Sequence, residues 1–111
     1  VAGMNPAPFI FAMANPTPEI MPEAAFRAGA CIVGTGRSDM PNQVNNALVF
    51  PGLFKGLLES GIRKITPEMK IAVADAIARS IVPTADNLMP TTFDKQVVDN
   101  IVKVLAGMAS N

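Results

Sequence analysis

The chain has 111 residues, enough for one small domain or part of a larger one. Half of the residues are hydrophobic and 16% are charged, against about 25% charged in an ordinary globular protein, which excludes a disordered tail. Nine basic and nine acidic residues cancel without forming a basic block, so a nucleic-acid footprint is excluded.

Phe9 to Met13 is apolar throughout and rich in aromatic and β-branched residues, the pattern of a strand covered on both faces. Asn15-Pro16-Thr17-Pro18 ends it. Pro22 and Glu23 suit the first turn of a short helix, and Gly29 suits its C′ stop. Ala30 to Val33 reads as a second strand, followed by the loop Gly34–Asp39. Strand, helix and strand at this spacing predict a βαβ unit with parallel strands. Parallel strands send both following loops to one sheet edge, so Asn15 and the Gly34–Asp39 loop are expected to share a crevice.

Asn45 to Gly61 reads as a helix interrupted near Pro51-Gly52, with Leu53, Phe54, Leu57 and Leu58 as an apolar stripe. Thr66, Pro67 and Glu68 give the clearest helix start in the chain. Met69, Val73, Ala76, Ile77 and Ile81 then recur at helical steps, Asp75 and Arg79 lie at i,i+4 on the other face, and Pro83 closes the run. Asp94 is placed to cap a last helix whose buried stripe is Val97, Val98, Ile101, Val102 and Leu105. Two strands are too few for a sheet, so its remainder is expected from sequence elsewhere.

The chain opens at Val1 with Val-Ala-Gly-Met-Asn-Pro, which reads as the interior of a longer polypeptide. It has no run of about 18 apolar residues and no basic segment leading an apolar one, so neither a membrane span nor a signal peptide is indicated. The apolar excess implies a large exposed face covered by another domain or subunit. Cys31, the one cysteine, lies in an apolar run and is expected to be a buried, inert thiol in a reducing cytoplasm.

Three places could carry chemistry. The Asn15 carboxamide can both donate and accept, and so can bind another amide, a hydroxyl or a carboxylate. Spacing alone favours the plainer reading, in which Asn-Pro starts a turn with the Asn side chain bonded to its own backbone. Asn45 and Asn46 stand at a helix start, where N–H groups attract anions and a neutral amide adds orientation; the alternative is that one caps the helix and the other is solvated. Gly34-x-Gly36 is a weak echo of a phosphate loop and reads more readily as a plain turn. Arg37 could meet an anion or simply pair with Asp39. No His or Tyr is present and the acidic residues are scattered, so nothing in the chain could run acid–base chemistry alone or assemble a metal site.

The blocks FIFAMANPTPEIMPEAA, GTGRSDMPNQVNNALVFPG and ITPEMKIAVADAIA resemble consecutive segments of the malic enzyme family of bacterial type, and PTTFDKQVV resembles its C-terminal block. The resemblance implies an α/β fold: the C-terminal half of a Rossmann-type doubly wound parallel sheet followed by C-terminal helices, a fragment of a larger domain. It implies a partial NAD(P)-binding domain over 1–111, with a strand-and-loop ligand-binding part to about 61 and C-terminal helices from about 62. The implied activity is oxidation of malate by NAD or NADP and decarboxylation to pyruvate and CO2, assisted by Mg or Mn. Family acid, base, metal ligands and Gly-rich loop are expected N-terminal to this chain, so no catalytic or metal-binding residue is assigned within it. Carried over by position, Asn15 is the expected contact to the nicotinamide side of the cofactor and to malate. Asn46 is the expected malate contact, with Asn45 its neighbour in the substrate site. A malolactic enzyme is the alternative inside the family, and a non-catalytic interaction fragment the alternative outside it. Malate or pyruvate, the remaining domains and further copies in a homo-oligomer are the implied partners, with no nucleic acid and no membrane.

Overall fold

Parallel pairing of two short apolar segments organises the first part of the computed structural model, which describes residues 1–92 and 94–109; Phe93 of the C-terminal block lies outside them. Strand β1 (Phe9–Ala12) pairs with β2 (Ile32–Thr35), Phe9 opposite Ile32 and Ala12 opposite Thr35. Helix α1 (Pro22–Arg27) is the crossover, with Pro22 in its first turn and Gly29 at φ 105° just past its end, where a side chain would be strained. Ala25, Ala30 and Val33 form a small core with Val1, Ile10 and Ile20 packed on it. These elements, with the loop to Asn45 and the segment Pro83–Met89, make one compact unit.

Strand β2 starts and ends two residues later than the sequence pattern suggests. Its extension has a partner the pattern could not show. Val44 N–H donates to Thr35 O at 2.7 Å, and Thr35 and Gln43 form a parallel bridge. Gly34 tolerates this crowding because it has no Cβ. An added methyl would lie 2.8 Å from both the Asn42 carbonyl and the Phe11 ring. The shift also corrects the expectation for Cys31, which is exposed. It precedes the pairing and lies between buried Ala30 and Ile32, and side chains of extended backbone alternate between faces. By the same alternation β1 is covered on only one face by this chain: Ala12 is buried, whereas Phe9 is 56% exposed and Phe11 is also exposed.

The second unit comprises Asn46–Val82 and the described residues of Pro90–Asn111. It begins with a 3-10 turn, Asn46–Leu48, followed by helix α2 (Phe50–Ser60). The expected interruption falls at Val49, between this turn and α2; Pro51 itself sits in the first turn of α2, where its missing N–H has no intrahelical role. Gly61, at φ 66°, ends α2.

Helix α3 (Pro67–Ala78) starts as the sequence indicates, with Thr66 Oγ1 accepting from Met69 N–H at 3.3 Å. It stops short of Ile81. Ser80 N–H turns back to Ile77 O at 3.0 Å, and its hydroxyl donates to Ala76 O at 2.8 Å, a local bonding pattern that competes with helix continuation. Helix α4 (Lys95–Ala109) is capped by Asp94, whose Oδ1 accepts from Gln96 N–H at 2.9 Å.

Val97, Ile101 and Leu105 of α4 meet Val73, Ala76 and Ile77 of α3 and Leu48 in one core. Gly52 and Gly56, one turn apart on α2, allow the close approach of α4. A Cβ at Gly52 would lie 2.8 Å from Ile101 Cδ1, and one at Gly56 would lie 2.7 Å from Leu105 Cδ1. Phe50, Phe54 and Leu58 remain exposed at four-residue steps along α2, the two rings stacked with centroids 5.7 Å apart. Each unit thus has exposed apolar side chains of its own, Phe9 and Phe11 in the first and these three in the second. No helix among the described residues is long and apolar enough to cross a membrane.

Candidate functional site

The loops after β1 and β2 converge. Parallel register carries Ala12 and Thr35 side by side, so the chain leaves both strands in the same direction. Asn15, three residues past β1, lies with its carboxamide against Gly36. A Cβ built on Gly36 would be 2.8 Å from Asn15 Oδ1, 3.1 Å from Nδ2 and 3.3 Å from Cγ. The two loops therefore meet at one edge, with Asn15 against Gly36. Asn15 is exposed and its peptide bond to Pro16 is cis. Its carboxamide has no hydrogen-bond partner among the described residues, so the self-bonded Asx turn is not what forms. The neighbouring backbone is tied instead by Glu19, whose Oε1 accepts from Ala14 N–H at 2.9 Å. That bond, followed by one from Glu19's own N–H, holds the Glu19 carboxyl below its ordinary pKa.

The opposing loop is fixed from beneath. Thr35 is fully buried; its Oγ1 accepts from Arg37 N–H at 3.2 Å and donates to Met40 Sδ at 3.5 Å. Gln43 Nε2 donates to Gly36 O at 3.4 Å. Arg37 is engaged by Asp39 through two charge-assisted bonds of 2.8 and 2.7 Å. These bonds depress the Asp39 carboxyl and raise the Arg37 guanidinium. The pairing reading of Arg37, and not the anion-binding one, is thus the one seen. Gly34-x-Gly36 is not a phosphate loop opening a helix: Gly34 is in β2, and Gly36 faces Asn15.

Asn45 ends the first unit, half-buried, and Asn46 opens the second, exposed. The helix that starts at Asn46 is a three-residue 3-10 turn, in which the Asn46 backbone carbonyl accepts from Val49 N–H at 3.0 Å. Val49 is the N-cap of α2 and has no side-chain cap bond. The α-helical N-terminus expected there does not form; a 3-10 turn takes its place.

Asn42 is the residue the sequence reading passed over. It is 8% exposed, at φ 56°. Its Nδ2 donates to Val33 O at 3.1 Å and to Ala85 O at 2.8 Å, and its Oδ1 accepts from Leu88 N–H at 2.9 Å. Left-handed backbone favours Asn, so Pro41-Asn42 was a usable turn signal; its distant partners were not visible. No group of three His, Cys, Asp or Glu side chains gathers among the described residues, so these residues do not fit a divalent-cation site.

Two parallel strands joined by a helix, with their outgoing loops meeting at one edge, form one βαβ unit of an open α/β sheet. The chain belongs to the malic enzyme family: the description "malic enzyme, NAD binding domain" matches residues 1–106. It is 53% identical over 112 residues to the bifunctional malic/malolactic enzyme of Bacillus subtilis, covering 98% of this chain and 27% of that protein. It is 46% identical over 97 residues to the NAD-dependent malic enzyme of Geobacillus stearothermophilus, covering 85% and 20%. The malic enzyme of Pyrococcus horikoshii superposes with a TM-score of 0.93 at 45% identity, covering 98% of this chain and 25% of that one. The chain thus spans about a quarter of the length of its relatives.

Proposed function

We propose that this chain is the C-terminal part of the NAD(P)-binding domain of an enzyme that oxidises and decarboxylates malate to pyruvate and CO2, with reduction of NAD or NADP. Within it, the strand-and-loop part to about residue 61 holds ligand and the helices from about 62 complete the domain. The observation that carries the reading is the family match over residues 1–106 together with the free Asn15 carboxamide at the edge of the β1–β2 pair. Asn15 contacts the nicotinamide side of the cofactor and malate; Asn46 contacts malate, with Asn45 beside it. A neutral amide suits both tasks, since it donates to a carboxylate or hydroxyl and both donates to and accepts from a carboxamide. The cofactor supplies hydride acceptance when bound; these residues orient and do not exchange protons. Mg or Mn, if used, is held outside this chain, and no step here is assigned to it. The remaining domains and further copies of the enzyme cover the apolar faces, in the cytoplasm.

In the enzyme completed by its remaining domains, Asn46→Ala is expected to raise the malate KM about tenfold or more, the order of one lost hydrogen bond to a charged group, with thermal stability unchanged. Unchanged malate kinetics would remove Asn46 from the site. The 111-residue polypeptide alone is expected to give no NAD(P)H from malate and Mn²⁺; turnover would show that the chain is itself a complete enzyme. A malolactic reaction, yielding lactate without net redox, is the second reading, favoured by the bifunctional name of the B. subtilis relative; lactate formed from malate distinguishes it.

A further inference from the structure

We propose that Gly36 is a positioning residue for the Asn15 carboxamide, so that a glycine in the loop after β2 sets how a side chain after β1 meets its ligand. The proposal rests on the reading of Asn15 as a ligand contact. Three observations carry it. The nearest atoms to a Cβ at Gly36 are Oδ1, Nδ2 and Cγ of Asn15, at 2.8, 3.1 and 3.3 Å. None of the three is backbone. Gly36 has no left-handed φ that would demand glycine for conformational reasons, so the missing side chain leaves room for the carboxamide rather than freedom for the main chain.

The floor under the carboxamide is fixed on both sides of Gly36. Thr35 is buried and receives Arg37 N–H, while Gln43 donates to the Gly36 carbonyl. The carboxamide itself has no hydrogen-bond partner among the described residues. Contact with this floor therefore limits its positions without consuming its donor and acceptor, which stay available to a ligand. A methyl on Gly36 has a cheap escape, because Asn15 is exposed and its side chain can swing away. The fold survives and the amide is displaced by about the size of the overlap. Displacements near 1 Å at a substrate-positioning group cost on the order of 100-fold in rate.

The test is a double-mutant cycle in the completed enzyme, read as malate KM, kcat and melting temperature for Asn15→Ala, Gly36→Ala and the double variant. Gly36→Ala is expected to melt near the wild type while impairing malate kinetics about 10- to 100-fold, most of it in kcat. Asn15→Ala is expected to impair similarly, and Gly36→Ala is expected to add nothing once Asn15 is alanine, since the residue it acts through has gone. Losses that multiply in the double variant would overturn the proposal, as would wild-type kinetics in Gly36→Ala beside a damaged Asn15→Ala. A kinetically silent Asn15→Ala would overturn the ligand reading of Asn15 itself. Should Gly36→Ala not fold, the double variant decides: recovery of the fold supports the contact with Asn15, and failure in both refutes it.

Discussion

Asn42→Ala tests how the first unit is held together. The substitution removes two donations and one acceptance, to Val33 O, Ala85 O and from Leu88 N–H. At about 0.5–1.5 kcal/mol net for each bond, the loss is about 3 kcal/mol. Alanine at φ 56° adds about 1 kcal/mol of backbone strain. The loss falls on the segment Pro83–Met89, which the side chain ties to β2. Hydrogen exchange of a peptide spanning that segment, followed by mass spectrometry in the completed enzyme, should quicken roughly 1000-fold, the equivalent of about 4 kcal/mol. Asn42→Gly relieves the strain but not the lost bonds, and should fall about 1 kcal/mol short of the alanine effect. Asn42→Asp keeps the acceptor for Leu88 but sets a carboxylate against two carbonyl oxygens, and should do at least as badly as alanine. Exchange within twofold of the wild type in Asn42→Ala would refute the reasoning.

Gly52→Ala drives a methyl to 2.8 Å from Ile101 Cδ1, and should destabilise the α2–α4 packing by about 1–3 kcal/mol in chemical denaturation, with partial recovery by Ile101→Val. Thr66→Ala removes the cap bond to Met69 N–H and should cost about 1 kcal/mol by the same measurement. The bond from Ala14 N–H depresses the Glu19 pKa on folding. Its contribution is therefore complete above the ordinary carboxyl pKa and disappears as pH falls through the depressed folded value. The Ala14 amide resonance should titrate in that acid range in the wild type and not in Glu19→Gln.

What was legible in the sequence was what neighbours in the chain decide. Thr66-Pro67-Glu68 determines the start of α3 through bonds spanning three residues, and the Val97, Ile101, Leu105 spacing fixes the buried face of α4. The meeting of Asn15 with the loop after β2 also followed, since parallel pairing alone requires it. Pro51 was ambiguous because proline both breaks helices and begins them; Asn46–Leu48 closing as a separate turn selects the second role. The length of β2 was hidden because Val44, which completes its ladder, comes from a loop. Cys31 was misjudged by the same two-residue offset. Asn42 was beyond reach, its partners lying 43 and 46 residues further on.

That long reach has a consequence during synthesis. A ribosome adding about 5–20 residues per second needs several seconds to travel from Asn42 to Leu88. Throughout that interval Asn42 lacks two of its three partners, while the whole of α2 and α3 is being synthesised. A polypeptide cut short before Leu88 would leave the Asn42 acceptor unpaired and the segment after Pro83 untied, the kind of loose backbone that proteases and chaperones engage.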